Sequence, residues 1–116
     1  PKSRVEEWVK RSAVKARGKS LEEGFLKWLD SRGIPRDKGR FPGIPYIMLH
    51  SLSHLLITAV SLECGYAASA IRERIYANET GYGILLYTGT SGSEGTLGGL
   101  VQVGRRIEQH LSRALE

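Results

Sequence analysis

The sequence predicts an α+β domain in which a buried central helix and a C-terminal helix pack against a short β-hairpin or small sheet. One observation is that no charged residue occurs between Phe41 and Leu62, although 25% of the chain is charged. A long neutral segment of this kind predicts a helix inside the fold. The other observation is a pair of strand-like segments at residues 71–76 and 82–88, the second of them a continuous apolar run, with turn-forming residues between them. Such a pair predicts a hairpin.

The N-terminal part of the chain is predicted to be a helical, basic lead-in that ends in a loop. Residues 3–17 carry apolar side chains at helical spacing, and we expect Gly18 to end that helix. Ser20 is then expected to cap a second helix that ends at Gly33. Residues 34–45 contain three prolines and two glycines, so they are predicted to form a loop.

The core domain is predicted to span residues 46–116, after the lead-in of residues 1–45. Its central helix is expected over residues 46–62, where apolar side chains occur on every face. His50 and His54 are four positions apart, so their side chains share one face of this helix. Because the segment is neutral, we expect both histidines to be buried. Their partners must then come from other parts of the fold.

The hairpin is predicted from two runs and the turn between them. Residues 71–76 have the composition of a strand, although a helix continuing through Tyr76 is a competing interpretation. Residues 78–81 are turn formers. Residues 82–88 form a continuous apolar run, which predicts a strand that is covered on both faces.

Charged residues in the first predicted strand indicate a polar network inside the fold. Arg72 and Arg74 would share one face of the strand and Glu73 would occupy the other. At least one of these charges would then lie near the core and would need a partner of opposite charge. The predicted buried polar network comprises His50, His54, Glu63, Arg72, Glu73, Arg74 and Glu94.

A glycine-rich loop follows the hairpin at residues 89–99, with Glu94 as its single charged residue. It precedes a helix that is predicted from Leu97 onward. A strand, a glycine loop and a helix start together are similar to a phosphate-binding cradle. Neither the dinucleotide-binding nor the Walker motif occurs, however. The alternative is that Gly98 and Gly99 let the last helix pack closely on the central helix.

The net charge of +5 lies in the lead-in. Residues 1–45 hold 12 Lys and Arg against 6 Asp and Glu, which gives +6, whereas residues 46–116 hold 5 against 6, which gives −1. A basic patch attached to a neutral body predicts contact with DNA phosphates, and a solvated helix face is the alternative. The predicted DNA-binding residues are Lys10, Arg11, Lys15, Arg17 and Lys19.

Two residue types in the core domain invite chemical interpretations. His50 and His54 have the spacing of a zinc-binding pair, with Glu63 as a distant third ligand. The metalloprotease motif requires Glu after the first histidine, where this chain has Ser51, so satisfied core histidines are the alternative. Cys64 is either a nucleophile or inert packing. As the single cysteine of the chain, it favours the reducing cytoplasm.

Five segments together resemble the MrfA-type zinc-binding domain. In chain order they are LHSLSHLL (49–56), LECGY (62–66), RERIY (72–76), GILLYT (83–88) and SEGTLGGL (93–100). The resemblance covers about residues 42–115. Members of this family occur at the C-terminus of MrfA-type helicases and beside a helicase in the DISARM anti-phage system. The basic lead-in is most similar to the DISARM members.

The resemblance implies a non-catalytic accessory module of a helicase-based DNA defence or repair complex. Such a module would bind a helicase partner protein and contribute to DNA binding, with no membrane partner. One alternative is a hydrolytic enzyme, and the other is a purely structural protein scaffold. The hydrolytic pocket would be lined by His50, His54, Glu63 and Glu94.

The family's zinc ligands are cysteines, and this chain contains only Cys64. The family's zinc therefore cannot be carried over, and we predict no metal site and no cofactor in this chain. Either the cysteines belong to a part of a longer parent protein that is missing here, which we favour because we interpret the chain as a fragment, or this member lacks the metal.

Overall fold

A computed structural model describes residues 1–65, 67–88 and 99–116. Within these residues the chain forms five α-helices and a two-stranded antiparallel sheet, which confirms the α+β prediction. The helices are α1 (Lys2–Val9), α2 (Ser12–Ser31), α3 (Ile44–Cys64), α4 (Gly99–Gly104) and α5 (Ile107–Leu115). The strands are β1 (Ile71–Asn78) and β2 (Gly81–Thr88), and a 3-10 turn, Ala68–Ala70, precedes β1.

The chain divides into two compact units. The first comprises Pro1–Ile47 and Ala77–Tyr82, and the second comprises Met48–Tyr76 and Gly83–Glu116. The basic lead-in belongs to the first unit. Both predicted histidines and most of the hairpin belong to the second.

The break between the first two helices lies earlier than predicted. α1 ends at Val9 and α2 runs through Gly18, which is buried in its middle. A Cβ atom at Gly18 would lie 2.7 Å from Cγ1 of Ile44. The glycine therefore leaves room for Ile44, and this packing offsets the roughly 1 kcal/mol by which glycine disfavours a helix interior. The predictions that Gly18 ends a helix and that Ser20 caps one are wrong.

The predicted end of the second helix is confirmed. Gly33 has a φ of 67°, the left-handed conformation that favours glycine after a helix. Its N–H donates to the carbonyl of Asp30 at 3.1 Å, and the N–H of Ile34 donates to the carbonyl of Leu29 at 3.0 Å. These two bonds satisfy carbonyls in the last turn of α2. They turn the chain over Leu29, which is only 2% exposed.

α3 begins at Ile44, with Pro45 in its first turn, where a missing N–H removes no helical hydrogen bond. In the part of the chain that the structure describes, it is the one helix long and apolar enough to span a membrane by length and composition. The buried residues Ile57 and Val60 pack it into the core of the second unit, while Leu55 and Leu62 are exposed. Burial of α3 is therefore confined to one side.

The core of the second unit joins helices and sheet as predicted. Ile57 and Val60 of α3 lie against Ile71 of β1 and Val103 of α4. Two partly buried side chains, Leu86 and Leu100, extend this cluster. The core thus places β1 beside the middle of α3, where both predicted histidines are close.

The hairpin prediction is confirmed, and the competing helical interpretation of residues 71–76 is wrong. Oδ1 of Asn78 accepts hydrogen bonds from the backbone N–H groups of Thr80 and Gly81 at 2.9 and 3.3 Å, which closes the turn. β2 is not covered on both faces, because Leu85 and Tyr87 are 47% and 40% exposed. A continuous apolar run in the sequence does not distinguish a strand that is covered on both faces from a strand in a sheet of only two strands.

Two predictions fall on residues outside the described part of the chain. Of the predicted glycine loop at residues 89–99, residues 89–98 lie outside the described part, and Glu94 is among them. The phosphate-cradle and close-packing interpretations of this loop therefore stay predictions. The helix predicted from Leu97 onward is described from Gly99 and is broken at Arg105 and Arg106 into α4 and α5.

Candidate functional site

The second unit contains a cluster of two histidines and a glutamate, which we call the histidine–glutamate cluster: His50, His54 and Glu73. Nδ1 of His50 lies 2.8 Å from Oε1 of Glu73, and Nε2 of His54 lies 3.7 Å from the same oxygen. The Nε2 atoms of the two histidines are 3.1 Å apart, and their rings meet edge to face. Helical spacing brings the histidines together, and strand alternation on β1 turns Glu73 toward them.

The cluster lies at the surface. The side chains of His50 and His54 are 46% and 63% exposed, whereas that of Glu73 is 19% exposed. The prediction that both histidines are buried is therefore wrong, because the two-stranded sheet leaves the side of α3 that carries His54 open to solvent. His54 and Glu73 border a groove that Tyr87 and Ile57 also line.

Three short polar side chains of α3 find hydrogen-bond acceptors in their own helix. Ser53, which is fully buried, donates to the carbonyl of His50 at 2.7 Å. Thr58 donates to the carbonyl of His54 at 3.0 Å, and Ser61 donates to that of Thr58. These short side chains bond to their own helix, as serine and threonine commonly do. In the ion pairs that the structure describes, His50 and His54 are the side chains of α3 that reach β1.

Within the described residues, one oxygen of the histidine–glutamate cluster has no hydrogen-bond partner. Oε2 of Glu73 is buried and receives no donor. A buried carboxylate oxygen without a donor loses its hydration without compensation. The donor set of two imidazole nitrogens and one carboxylate oxygen is one that zinc and related divalent ions accept. The cluster can therefore relay a proton or hold a metal ion.

A second polar cluster, which the sequence did not predict, contains Glu63, His110 and Arg113. His110 is only 1% exposed, and its Nδ1 lies 3.0 Å from Oε2 of Glu63. Arg113 donates to the same oxygen at 2.9 Å. His110 and Arg113 are three positions apart on the amphipathic helix α5. This spacing was the feature of the sequence from which a shared contact of the two side chains could have been predicted. Glu63 was predicted to belong to a polar network, but with residues of the first cluster.

The four residues proposed for a hydrolytic pocket are thus not brought together. His50 and His54 meet Glu73, whereas Glu63 meets His110. Nine helical positions separate His54 from Glu63, which corresponds to about 13 Å along α3. Glu94, the fourth, lies outside the described residues.

The remaining members of the predicted network and the basic residues are exposed. Arg72 and Arg74 are the exposed residues on either side of Glu73 in β1, and Arg72 also borders the groove beside His54. The guanidinium of Arg74 lies 5.8 Å from the centre of the Tyr76 ring. The two arginines are therefore not part of a buried network. The five predicted DNA-binding residues are also exposed, at the junction of α1 and α2 and along the first half of α2: Lys10, Arg11, Lys15, Arg17 and Lys19.

A family comparison matches residues 52–116 to the MrfA Zn-binding domain, a range that contains both polar clusters apart from His50. The chain belongs to the MrfA Zn-binding domain family. It is also 40% identical over 102 residues to the DISARM protein DrmB of Bacillus paralicheniformis. That alignment covers 86% of this chain and 18% of the relative, so the chain spans less than a fifth of the length of the relative. The predicted family and its DISARM branch are both confirmed.

Proposed function

We propose that this chain is a non-catalytic accessory module of a DrmB-like protein in a helicase-based, DISARM-type DNA defence complex. The observation that carries the proposal is the 40% identity to the DISARM protein DrmB over 86% of the chain. This alignment is longer than the family match at residues 52–116, so the likeness extends well into the basic lead-in. The lead-in is therefore a part of the module and not an unrelated extension.

A non-catalytic role is supported by the way the polar residues are distributed. Hydrolysis requires a nucleophile or an activated water, a base and a stabilising group within reach of one substrate atom. Glu63 lies about 13 Å along α3 from His54, a distance given by the helical rise, and it pairs with His110 and Arg113. We therefore assign catalysis to the helicase partner protein.

A contribution to DNA binding is supported by the exposed cations of the lead-in. Lys10 and Arg11 lie between α1 and α2, and Lys15, Arg17 and Lys19 follow on α2. Among the described ion pairs, none involves any of these five residues. Their charges are thus available to phosphates. Because no aromatic residue occurs within residues 10–19, contact with the DNA backbone is favoured over base stacking. We place this module in the cytoplasm, where phage DNA enters.

Reconstitution with the helicase tests the proposal. The intact protein and a helicase of the same defence system are purified separately, mixed, and passed through a size-exclusion column with and without duplex DNA. We expect the two proteins to co-elute, and the complex to bind DNA more tightly than the helicase alone. Separate elution, together with equal DNA affinity of the helicase with and without this protein, would contradict the accessory role.

A further inference from the structure

We propose that His50, His54 and Glu73 form a binding site for a divalent transition-metal ion, with Zn²⁺ as the best-fitting ion. The ligands would be one ring nitrogen from each histidine and Oε1 of Glu73. This site is separate from the cysteine ligands that the family resemblance implies, because the three donors belong to α3 and β1 of this chain. It does not depend on DNA or helicase binding.

The distances between the donor atoms fit a metal site. In tetrahedral zinc sites, Zn–N distances of about 2.0–2.1 Å place neighbouring ligand atoms about 3.3 Å apart. The Nε2 atoms of His50 and His54 are 3.1 Å apart. Oε1 of Glu73 lies 3.7 Å from Nε2 of His54, and the donor atoms that the three residues offer all lie within 4.8 Å of one another. Side-chain rotations must shorten the longest of these separations before all three donor atoms reach one ion.

The polar contacts of His50 show that its ring is already oriented. Nδ1 faces Glu73 at 2.8 Å and Nε2 faces His54 at 3.1 Å. In the tautomer that donates its Nδ1 proton to Glu73, Nε2 of His50 carries a lone pair that faces Nε2 of His54. Metal binding through both Nε2 atoms would displace the proton between them, and Glu73 would exchange its hydrogen bond with His50 for a bond from Oε1 to the ion.

Charge and exposure also fit. Oε2 of Glu73 is buried and has no hydrogen-bond donor among the described residues, so the carboxylate lacks compensation that a cation would supply. The histidines are 46% and 63% exposed, which leaves the outer side of the site accessible to water. Zinc sites with three protein ligands keep such an open position. Arg72 borders the same groove, and its charge lowers the affinity for a cation.

Metal titration tests the site directly. The protein is freed of metal with a chelator, and Zn²⁺ binding is measured by calorimetry, with Co²⁺ absorption as a report of coordination number and ligand type. We expect one equivalent of metal, a Co²⁺ spectrum without thiolate charge-transfer bands, and a rise in thermal stability on binding. His54→Ala and Glu73→Gln should each weaken binding by about 10- to 100-fold or more.

Three controls keep the outcome interpretable. Glu108→Gln removes an exposed carboxylate of α5 in the same unit and should leave the affinity unchanged. Cys64→Ser removes the single thiol and should also leave it unchanged. If His54→Ala is unstable, His54→Asn replaces it as the test variant, and circular dichroism checks that it is folded. His54 is suited to substitution because it is the most exposed of the three ligands. Absence of binding, full affinity in a folded His54 variant, or loss of binding in Cys64→Ser would overturn the site.

Discussion

Nδ1 of the buried His110 lies 3.0 Å from Oε2 of Glu63, and this contact ties α5 to the C-terminal end of α3. Among the described residues, neither ring nitrogen of His110 makes a hydrogen bond of good geometry, so Glu63 meets Nδ1 at ion-pair distance and not in a well-aligned hydrogen bond. Arg113 binds the same carboxylate oxygen from the solvent side, with its side chain 61% exposed.

The first prediction is that Glu63 matters more to stability than Arg113 does. Replacing Glu63 with Gln removes the charged partner of a buried histidine and should reduce the free energy of unfolding by about 1–3 kcal/mol. Arg113→Gln removes only an exposed partner and should change it by about 0–1 kcal/mol. Urea denaturation of both variants measures the difference. Equal effects would show that His110 does not depend on the carboxylate.

The second prediction concerns two glycines of α2 with different surroundings. A Cβ atom at Gly18 would overlap Ile44, whereas one at Gly24 meets no atom within 4 Å. Gly24→Ala should stabilise the protein by about 0.5–1 kcal/mol, because alanine favours the helix. Gly18→Ala should be less stable than Gly24→Ala by about 1–3 kcal/mol, because Ile44 must shift.

Thermal denaturation compares the two glycine variants. The double variant Gly18→Ala with Ile44→Ala provides the control, because it removes the side chain that the new methyl group meets. In that background, Gly18→Ala should no longer destabilise. If Gly18→Ala is as stable as Gly24→Ala with Ile44 intact, the close approach does not limit this position.

The third prediction concerns DNA. Changing Lys10, Arg11, Lys15 and Arg17 together to Gln should weaken DNA binding regardless of sequence. The slope of log affinity against log salt should become shallower by up to about 3 to 4 units. Fluorescence anisotropy with labelled duplex DNA measures both effects.

A matched charge control uses other exposed cations of the same unit. Changing Lys2, Lys27, Lys38 and Arg40 to Gln removes the same number of positive charges. This variant should retain more affinity and a steeper salt slope than the first. Identical slopes in both variants would show that only net charge matters, and an unchanged slope in the first would favour a protein-only scaffold.

The fourth prediction concerns pH. Arg36 donates to both carboxylate oxygens of Asp30, at 2.8 and 3.2 Å, and this hydrogen bonding lowers the pKa of Asp30 below its ordinary value of 3.8. A lowered pKa in the folded state means that the pair stabilises the protein at neutral pH. The contribution is lost as the pH falls from 3.8 through the folded-state pKa.

NMR titration of the Asp30 carboxyl tests this sign. In Arg36→Gln the pKa of Asp30 should rise toward its ordinary value. At neutral pH that variant should be less stable than the parent. In acid the two proteins should have similar free energies of unfolding. Both groups are exposed, so the effect should also shrink in high salt. An unaltered pKa of Asp30 in Arg36→Gln would contradict the assignment.

Local signals account for what the sequence predicted correctly. The end of α2 at Gly33 depends on glycine alone, and the hairpin depends on Asn78 and its neighbours. Gly18 carries the same local signal as Gly33, but its role is decided by Ile44, far along the chain. A helix stop and a packing glycine cannot be distinguished without that contact.

In the candidate site, too, local sequence patterns predicted the local contacts but not those between distant parts of the chain. The pairing of His50 with His54 follows from helical spacing and was predicted, whereas their exposure depends on how little sheet covers them. The contacts of Glu63 with α5 join distant parts of the chain, since Glu63 and Arg113 are 50 positions apart. No periodicity in either segment specifies that partner.

The alternation of charges along β1 has a consequence for how the strand is aligned. Arg72 and Arg74 face outward and Glu73 faces the histidines of α3. A slip of β1 by one residue would exchange the two faces. Two guanidinium groups would then stand beside the imidazoles, and the carboxylate would point to solvent. Electrostatics as well as apolar packing therefore fixes the register of this short strand, and an insertion or deletion of one residue inside β1 should be more disruptive than one of two residues.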